Sequence, residues 1–189
     1  MILRALLLCG ALAACKPVAQ NAQSVSAGCT PPAATAAPVA DAVGKPGPAP
    51  AGYDFPALTG RVVDAAGLLS VSERRRLSNR LVDVEKQSKH QFVVVTVKSL
   101  GGHDIADYGL NLGRTWGIGR KCFNDGVLLI VAPNERKVRI EVGYGLEKAL
   151  RDEEAGEIIR NDILPRFKEG KYPEGIAAGS EAIIREITR

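Results

Sequence analysis

The sequence predicts an α/β protein, a three-layer α/β/α sandwich around a mixed sheet of about four strands. Three observations carry this. Helical and extended patterns alternate through the middle of the chain, two extended runs then pair directly, and two helical patterns close the sequence. The run QFVVVTV at 91–97 has the near-continuous, β-branched hydrophobicity of a strand covered on both faces. The apolar runs 127–132 and 138–142 flank Pro133, Asn134, Glu135 and Arg136, the sequence form of a four-residue β-hairpin.

The chain divides into three parts. Residues 1–15 read as a leader: Met1 and Arg4 precede an apolar stretch too short to span a bilayer and suited to a secretory signal. Leu12, Ala13, Ala14 and Cys15 resemble a bacterial lipobox, in which the cysteine is lipidated; a plain signal peptide cut near Ala11 or Ala13 is the alternative. Lys16 stands where a retention-type Asp would argue for the inner membrane. The expectation is an exported protein of the cell envelope, lipid-anchored on the periplasmic side. Residues 16–53, rich in Ala and Pro without hydrophobic periodicity, read as an extended tether. Residues 54–189 are the folded domain.

Within it, 60–69 (GRVVDAAGLL) is a short extended piece ending at Asp64, and Ser70 with Glu73 has the spacing of a capping box, so a helix starts near Val71. Leu77, Leu81 and Val84 form its apolar stripe, opposite Arg74, Arg75, Arg80, Asp83 and Lys86. His90 is expected at the end of that helix. A second helix from about Asp104 places Ile105, Tyr108, Leu112 and Trp116 on one side, with Trp116 a core anchor. Gly117, Gly119, Arg120, Lys121 and Asn124 form the loop into the central strand.

If Ala132 sits opposite Lys137, then Val127 faces Val142, Leu129 faces Ile140, Val131 faces Val138 and Gly126 faces Gly143. Asn124 and Asp125 then share a sheet edge with Tyr144. Asp152 is placed to cap a helix carrying Ile158, Ile159 and Ile163 ahead of Pro165, and a last helix from about Pro173 ends the chain.

Composition excludes some functions. Lys and Arg total 25 against 21 Asp and Glu, without a basic block or aromatic-interleaved stripe, so nucleic acid is not an expected partner. The glycines of the 117–119 loop lack a following Gly-Lys-Ser/Thr and lie between helix and strand, which argues against a nucleotide site. The four cysteines show no zinc spacing. Cys29 and Cys122 could pair, or remain thiols, or pair between molecules.

The stretches GRVVDAAGLLS, WGIG, NDGVLLIVAP, KVRIEVGYGLE and the LRD ending at Asp152, in this order, resemble a TPM domain from about Tyr53 to Arg189. The resemblance implies a Rossmann-like α/β/α fold and a family of exported, membrane-tethered bacterial proteins and thylakoid-lumen proteins of photosystem II repair, some described as acid phosphatases and some as calcium-binding. It implies a cleft built from Asp64, Asp125 and Asp152, with Asn124 and the Gly143-Tyr144-Gly145 loop beside them. The usual Thr-Asp or Pro-Asp stands here as Arg151-Asp152, a cation beside a proposed ligand.

From this follows an expected oxygen-rich metal site of Asp64, Asn124, Asp125 and Asp152 for a divalent cation, Ca²⁺ ahead of Mg²⁺ or Mn²⁺. The same acids also fit local roles: Asp152 as helix cap, Asp125 as turn residue, Asp64 as a local hydrogen-bonder. The favoured function is a membrane-tethered, cation-binding module that supports membrane-protein complexes through an envelope protein partner. The alternative is a metal-dependent acid phosphatase of phosphomonoesters, with Asp125 and Asp152 as candidate catalytic residues and water as nucleophile.

Overall fold

Strand order in the sheet follows the chain. β1 (Val62–Asp64) pairs parallel with β2 (Gln91–Thr96), β2 parallel with β3 (Gly126–Ala132), and β3 antiparallel with β4 (Lys137–Val142). The computed structural model describes residues 47–189; the leader, Cys15, Cys29 and most of the tether lie outside the described residues. The α/β architecture with a four-stranded mixed sheet is the one expected.

Helices make the parallel crossovers. α1 (Val71–Ser88) opens with the expected capping box: the Ser70 hydroxyl accepts from the Glu73 N–H, and the Glu73 carboxylate accepts from the Ser70 N–H. It stops at Lys89, which takes a left-handed conformation (φ 66°), so His90 lies beyond the helix, next to the start of β2, and not at its end. α2 (Ile105–Trp116) is capped by the Asp104 carboxylate on the Ala106 N–H and ends at left-handed Gly117.

The hairpin register holds along its whole length, from Val127 opposite Val142 to Ala132 opposite Lys137. Because side chains alternate, β3 feeds two cores. Val127, Leu129 and Val131 join Ile140 and the helices on one face; Leu128, Ile130 and Ala132 join Tyr108, Leu112 and Trp116 on the other. Trp116 is buried and its indole N–H donates to the Pro56 carbonyl at 3.1 Å, so the core-anchor reading stands. The chain reaches this layer before residue 54: Gly47 donates to the Thr115 carbonyl at 2.8 Å, and the Tyr53 ring stacks on His103 at 3.9 Å.

Tyr108 is only 1% exposed, and its hydroxyl reaches the Asp54 carbonyl at a long 3.4 Å. Burial, with smaller contributions from the charges of Asp54 and Glu135, pushes its phenol up to about 12. An unfolded tyrosine ionises near 10, so this burial stabilises the fold fully below about pH 10 and the benefit is lost as pH rises toward 12. Urea unfolding at pH 9 and pH 11.5 is expected to show a fall of order 2 kcal/mol attributable to this group, and Tyr108→Phe should flatten it. An equally steep fall in the phenylalanine variant would mean that other groups set the alkaline limit.

The C-terminal helices depart from expectation at the cap and at Pro165. Arg151, not Asp152, occupies the cap position of α3 (Asp152–Ile158); its guanidinium grips Glu154 while Glu154 accepts from the Arg151 N–H, and Asp152 is the first helical residue. The axis then runs through a π-helical turn (Ile159–Ile163) into α4 (Leu164–Lys168) without stopping at Pro165. Proline lacks the N–H an α-helix needs and crowds the preceding turn, and a π-turn just ahead of it relieves both. Ile158 and Ile163 are buried as expected, with Ile159 only partly so. α5 (Tyr172–Ile187) closes the fold over Ile163: a Cβ on Gly179 would lie 2.5 Å from that side chain.

Candidate functional site

In a parallel sheet, the end of one strand and the start of its neighbour lie at opposite edges. Asp64 ends β1 opposite Thr96, whereas Asp125 immediately precedes Gly126, which pairs with Gln91 at the start of β2. Five strand residues separate these levels, roughly 16 Å at the rise of a β-strand. The structure therefore does not bring Asp64 to the edge occupied by Asn124, Asp125 and Tyr144, and the three predicted carboxylates do not converge.

Each carboxylate has its own local work. Asp64 Oδ1 accepts from the Leu68 N–H at 2.9 Å and from the Thr96 hydroxyl at 2.5 Å, and its Oδ2 accepts from the Leu69 N–H at 2.9 Å. These bonds fold the turn after β1 and bind it to β2. Asp152 is exposed in the first turn of α3, where its negative charge suits the positive end of the helix.

Asp125 is the buried one, at 3% exposure. Its Oδ1 accepts the Arg120 backbone N–H at 2.9 Å, and its Oδ2 accepts from Arg120 Nε at 2.7 Å with Nη2 at 2.5 Å. His90 Nδ1 lies 3.5 Å from the same oxygen, an approach that makes no hydrogen bond. In the sequence Arg120 is one polar residue of a loop, and the clamp becomes visible only once that loop is folded. That folding uses left-handed backbone at Gly119, Cys122 and Asn124 (φ 96°, 74° and 48°). Gly119 is required there, since a Cβ would stand 2.8 Å from the Gly126 nitrogen. Cys122 is disulfide-bonded, which excludes a free thiol at this loop.

Above this clamp sits the glycine-flanked tyrosine. The Gly143 N–H donates to the Gly126 carbonyl at 2.8 Å and the Gly145 N–H to the Asn124 carbonyl at 3.0 Å. A Cβ on Gly143 would fall on the Asn124 carbonyl oxygen, and one on Gly145 on that of Phe123. Only glycine lets the two backbones lie this close. The short 3₁₀ turn Tyr144–Leu146 is thereby wedged on the loop, with Leu146 buried beneath and Tyr144 pointing outward at 78% exposure. Phe123 is also partly exposed, and the Arg120 guanidinium lies 4.1 Å over its ring.

A hard cation needs several carboxylate, carbonyl or water oxygens around one point. As arranged, Asp64 is across the sheet, and Asp125 carries a guanidinium where a metal would sit. Among the described residues no three His, Cys, Asp or Glu side chains gather that could hold a metal ion. In this arrangement Asp64 stands apart from Asn124 and Asp125, and Asp125 is engaged by Arg120. Asn124, Asp125 and the Gly143-Tyr144-Gly145 turn do come together, as an edge that presents aromatic surface.

A model of the TPM domain matches residues 62–186. A solution structure of the N-terminal domain of a protein from P. gingivalis is 37% identical with a TM-score of 0.64, over 68% of this chain and 82% of that one. The N-terminal domain of a Corynebacterium glutamicum protein (19% identity, TM-score 0.54, 70% and 82% covered) and the BA42 protein of Bizionia argentinensis (22%, 0.55, 63% and 81%) share the fold. A search of curated proteins finds no match. The family match spans every strand, the Arg120–Asp125 loop and the Gly143-Tyr144-Gly145 turn, and the chain belongs to the TPM domain family.

Proposed function

We propose that this TPM domain is a binding module of the cell envelope, which docks a partner protein on the sheet edge formed by the 120–125 loop and Tyr144. The observation that carries the reading is the mounting of Tyr144. A large aromatic left 78% exposed would ordinarily sit on a mobile tip, whereas here two glycines wedge its backbone against the Phe123 and Asn124 carbonyls. A preorganised aromatic binds at low entropic cost, and tyrosine is enriched among residues that anchor interfaces. The leader, the Cys15 lipid anchor and the tether belong to the same proposal, since they would hold that edge near envelope proteins. Among the described residues no helix is long and apolar enough to cross a membrane.

Site-specific photo-crosslinking tests this. With p-benzoylphenylalanine at position 144 of the full chain in its own cells, a discrete protein adduct is expected, and none with the same group at Val71, which is comparably exposed at 72%. Tyr144→Ala should change unfolding free energy by no more than about 0.5 kcal/mol, since the side chain is outside the core. No adduct at 144, or the same adduct at 71, would remove the docking edge.

Metal-assisted phosphomonoester hydrolysis is the rival proposal, and it requires Arg120 to release Asp125. Turnover of p-nitrophenyl phosphate that needs added Ca²⁺, Mg²⁺ or Mn²⁺ and is lost in Asp152→Ala would decide for it. Asp152 is exposed, so that variant leaves the fold in place.

A further inference from the structure

At the opposite edge from Tyr144, beyond the carboxyl end of β3, a cavity of about 580 Å³ opens between the hairpin turn and the α4–α5 junction. Its volume lies in the range of small-molecule sites. Arg136, Lys137 and Lys168 line it, together with Leu164, Phe167 and Tyr172, and it has no carboxylate in its wall.

The hairpin turn is built so that Arg136 is left over. Asn134 Nδ2 donates to the Lys98 carbonyl at 2.6 Å, and Glu135 Oε1 accepts from the Ser99 hydroxyl and the Leu100 N–H, both at 2.9 Å. The turn's one acid is thus spent on the α2 side of the sheet. Lys137 lies 3.7 Å from Asp104, and among the described residues Arg136 and Lys168 have no ion-pair partner. Arg136 also holds a left-handed backbone (φ 53°), unusual for a residue that is neither glycine nor asparagine.

We propose that this cavity binds a phosphate monoester with an apolar body. The phosphate lies between Arg136 and Lys168, and the apolar body rests on Leu164, Phe167 and Tyr172. A guanidinium offers two parallel donors to a phosphate, which a doubly charged phosphate fills better than a single carboxylate. The role is binding alone, because the wall supplies no carboxylate base.

Isothermal titration of the full chain with phenyl phosphate, inorganic phosphate and benzoate reads this directly. Phenyl phosphate is expected to saturate, with inorganic phosphate and benzoate each roughly tenfold weaker, since the first lacks the apolar body and the second the second charge. Arg136→Ala with Lys168→Ala should weaken phenyl phosphate at least about tenfold while leaving urea unfolding unchanged, both side chains being exposed. A flotation arm separates two sources of the same chemistry. Capture by phosphatidic acid vesicles that the double variant loses would make the ligand a lipid headgroup, and phenyl phosphate binding without capture would make it soluble. Absence of saturable phenyl phosphate binding, equal binding of inorganic phosphate, or undiminished binding by the double variant would overturn the proposal. Tyr144 lies at the other edge, so failure here leaves the crosslinking result untouched.

Discussion

Asp125→Ala is expected to cost about 3–5 kcal/mol of unfolding free energy, because it leaves a partly buried guanidinium without its counter-charge. Two parts make up the loss. Arg120, 28% exposed, keeps its desolvation penalty and gives up its charge-assisted bonds, and the Arg120 N–H loses its acceptor in the same substitution. The 117–125 loop also depends on this carboxylate to hold four left-handed residues, Gly117, Gly119, Cys122 and Asn124, in sequence proximity, so its entropy returns when the clamp goes. Asp125→Asn should fall between, since an amide still accepts from the Arg120 N–H but carries no charge. Asp152→Ala, at an exposed position, should stay within about 0.5 kcal/mol. Urea unfolding with an unchanged m-value measures all three. A loss below about 1 kcal/mol for Asp125→Ala would mean that the Arg120 clamp does not exist in solution and that the carboxylate is available to a ligand.

That carboxylate marks where sequence reading succeeded and where it did not. Counting from Ala132 opposite Lys137 placed every β3–β4 pair correctly, because a four-residue turn fixes register and a one-residue slip would have turned Val127, Leu129 and Val131 away from their core. The same counting put Asn124 and Asp125 beside Tyr144. The resemblance implies one cleft for Asp64 and Asp125, although the chain order argues against it: Asp64 ends a strand, Asp125 precedes one, and helical crossovers between the first three strands make them parallel.

Other features were out of reach for physical reasons. Arg120 and Asp125 are five residues apart, a spacing that has no meaning in an irregular loop until its positive-φ residues are known. The cavity at Arg136 and Lys168 joins a hairpin turn to a helix junction some thirty residues later, and sequence patterns read one element at a time. The continuation of the helix past Pro165 rests on a π-turn, which has no sequence signature of its own.

Gly145→Ala is expected to be nearly as damaging as loss of Asp125, by about 3 kcal/mol or more, although it adds a single methyl group at an exposed turn. The added carbon would overlap the Phe123 carbonyl oxygen, and a backbone carbonyl cannot swing aside as a lysine tip would. Relief must come from separating the 144–146 turn from the 120–125 loop, which breaks the bond from Gly145 N–H to the Asn124 carbonyl and draws Leu146 out of the core. Gly102→Ala supplies the contrast: its Cβ would meet nothing within 4 Å, and its positive φ of 83° alone should cost roughly 1 kcal/mol. If urea unfolding found Gly145→Ala no worse than Gly102→Ala, the wedge would be looser than described. Tyr144 would then be a mobile side chain, and the rigidity on which its docking role rests would be gone.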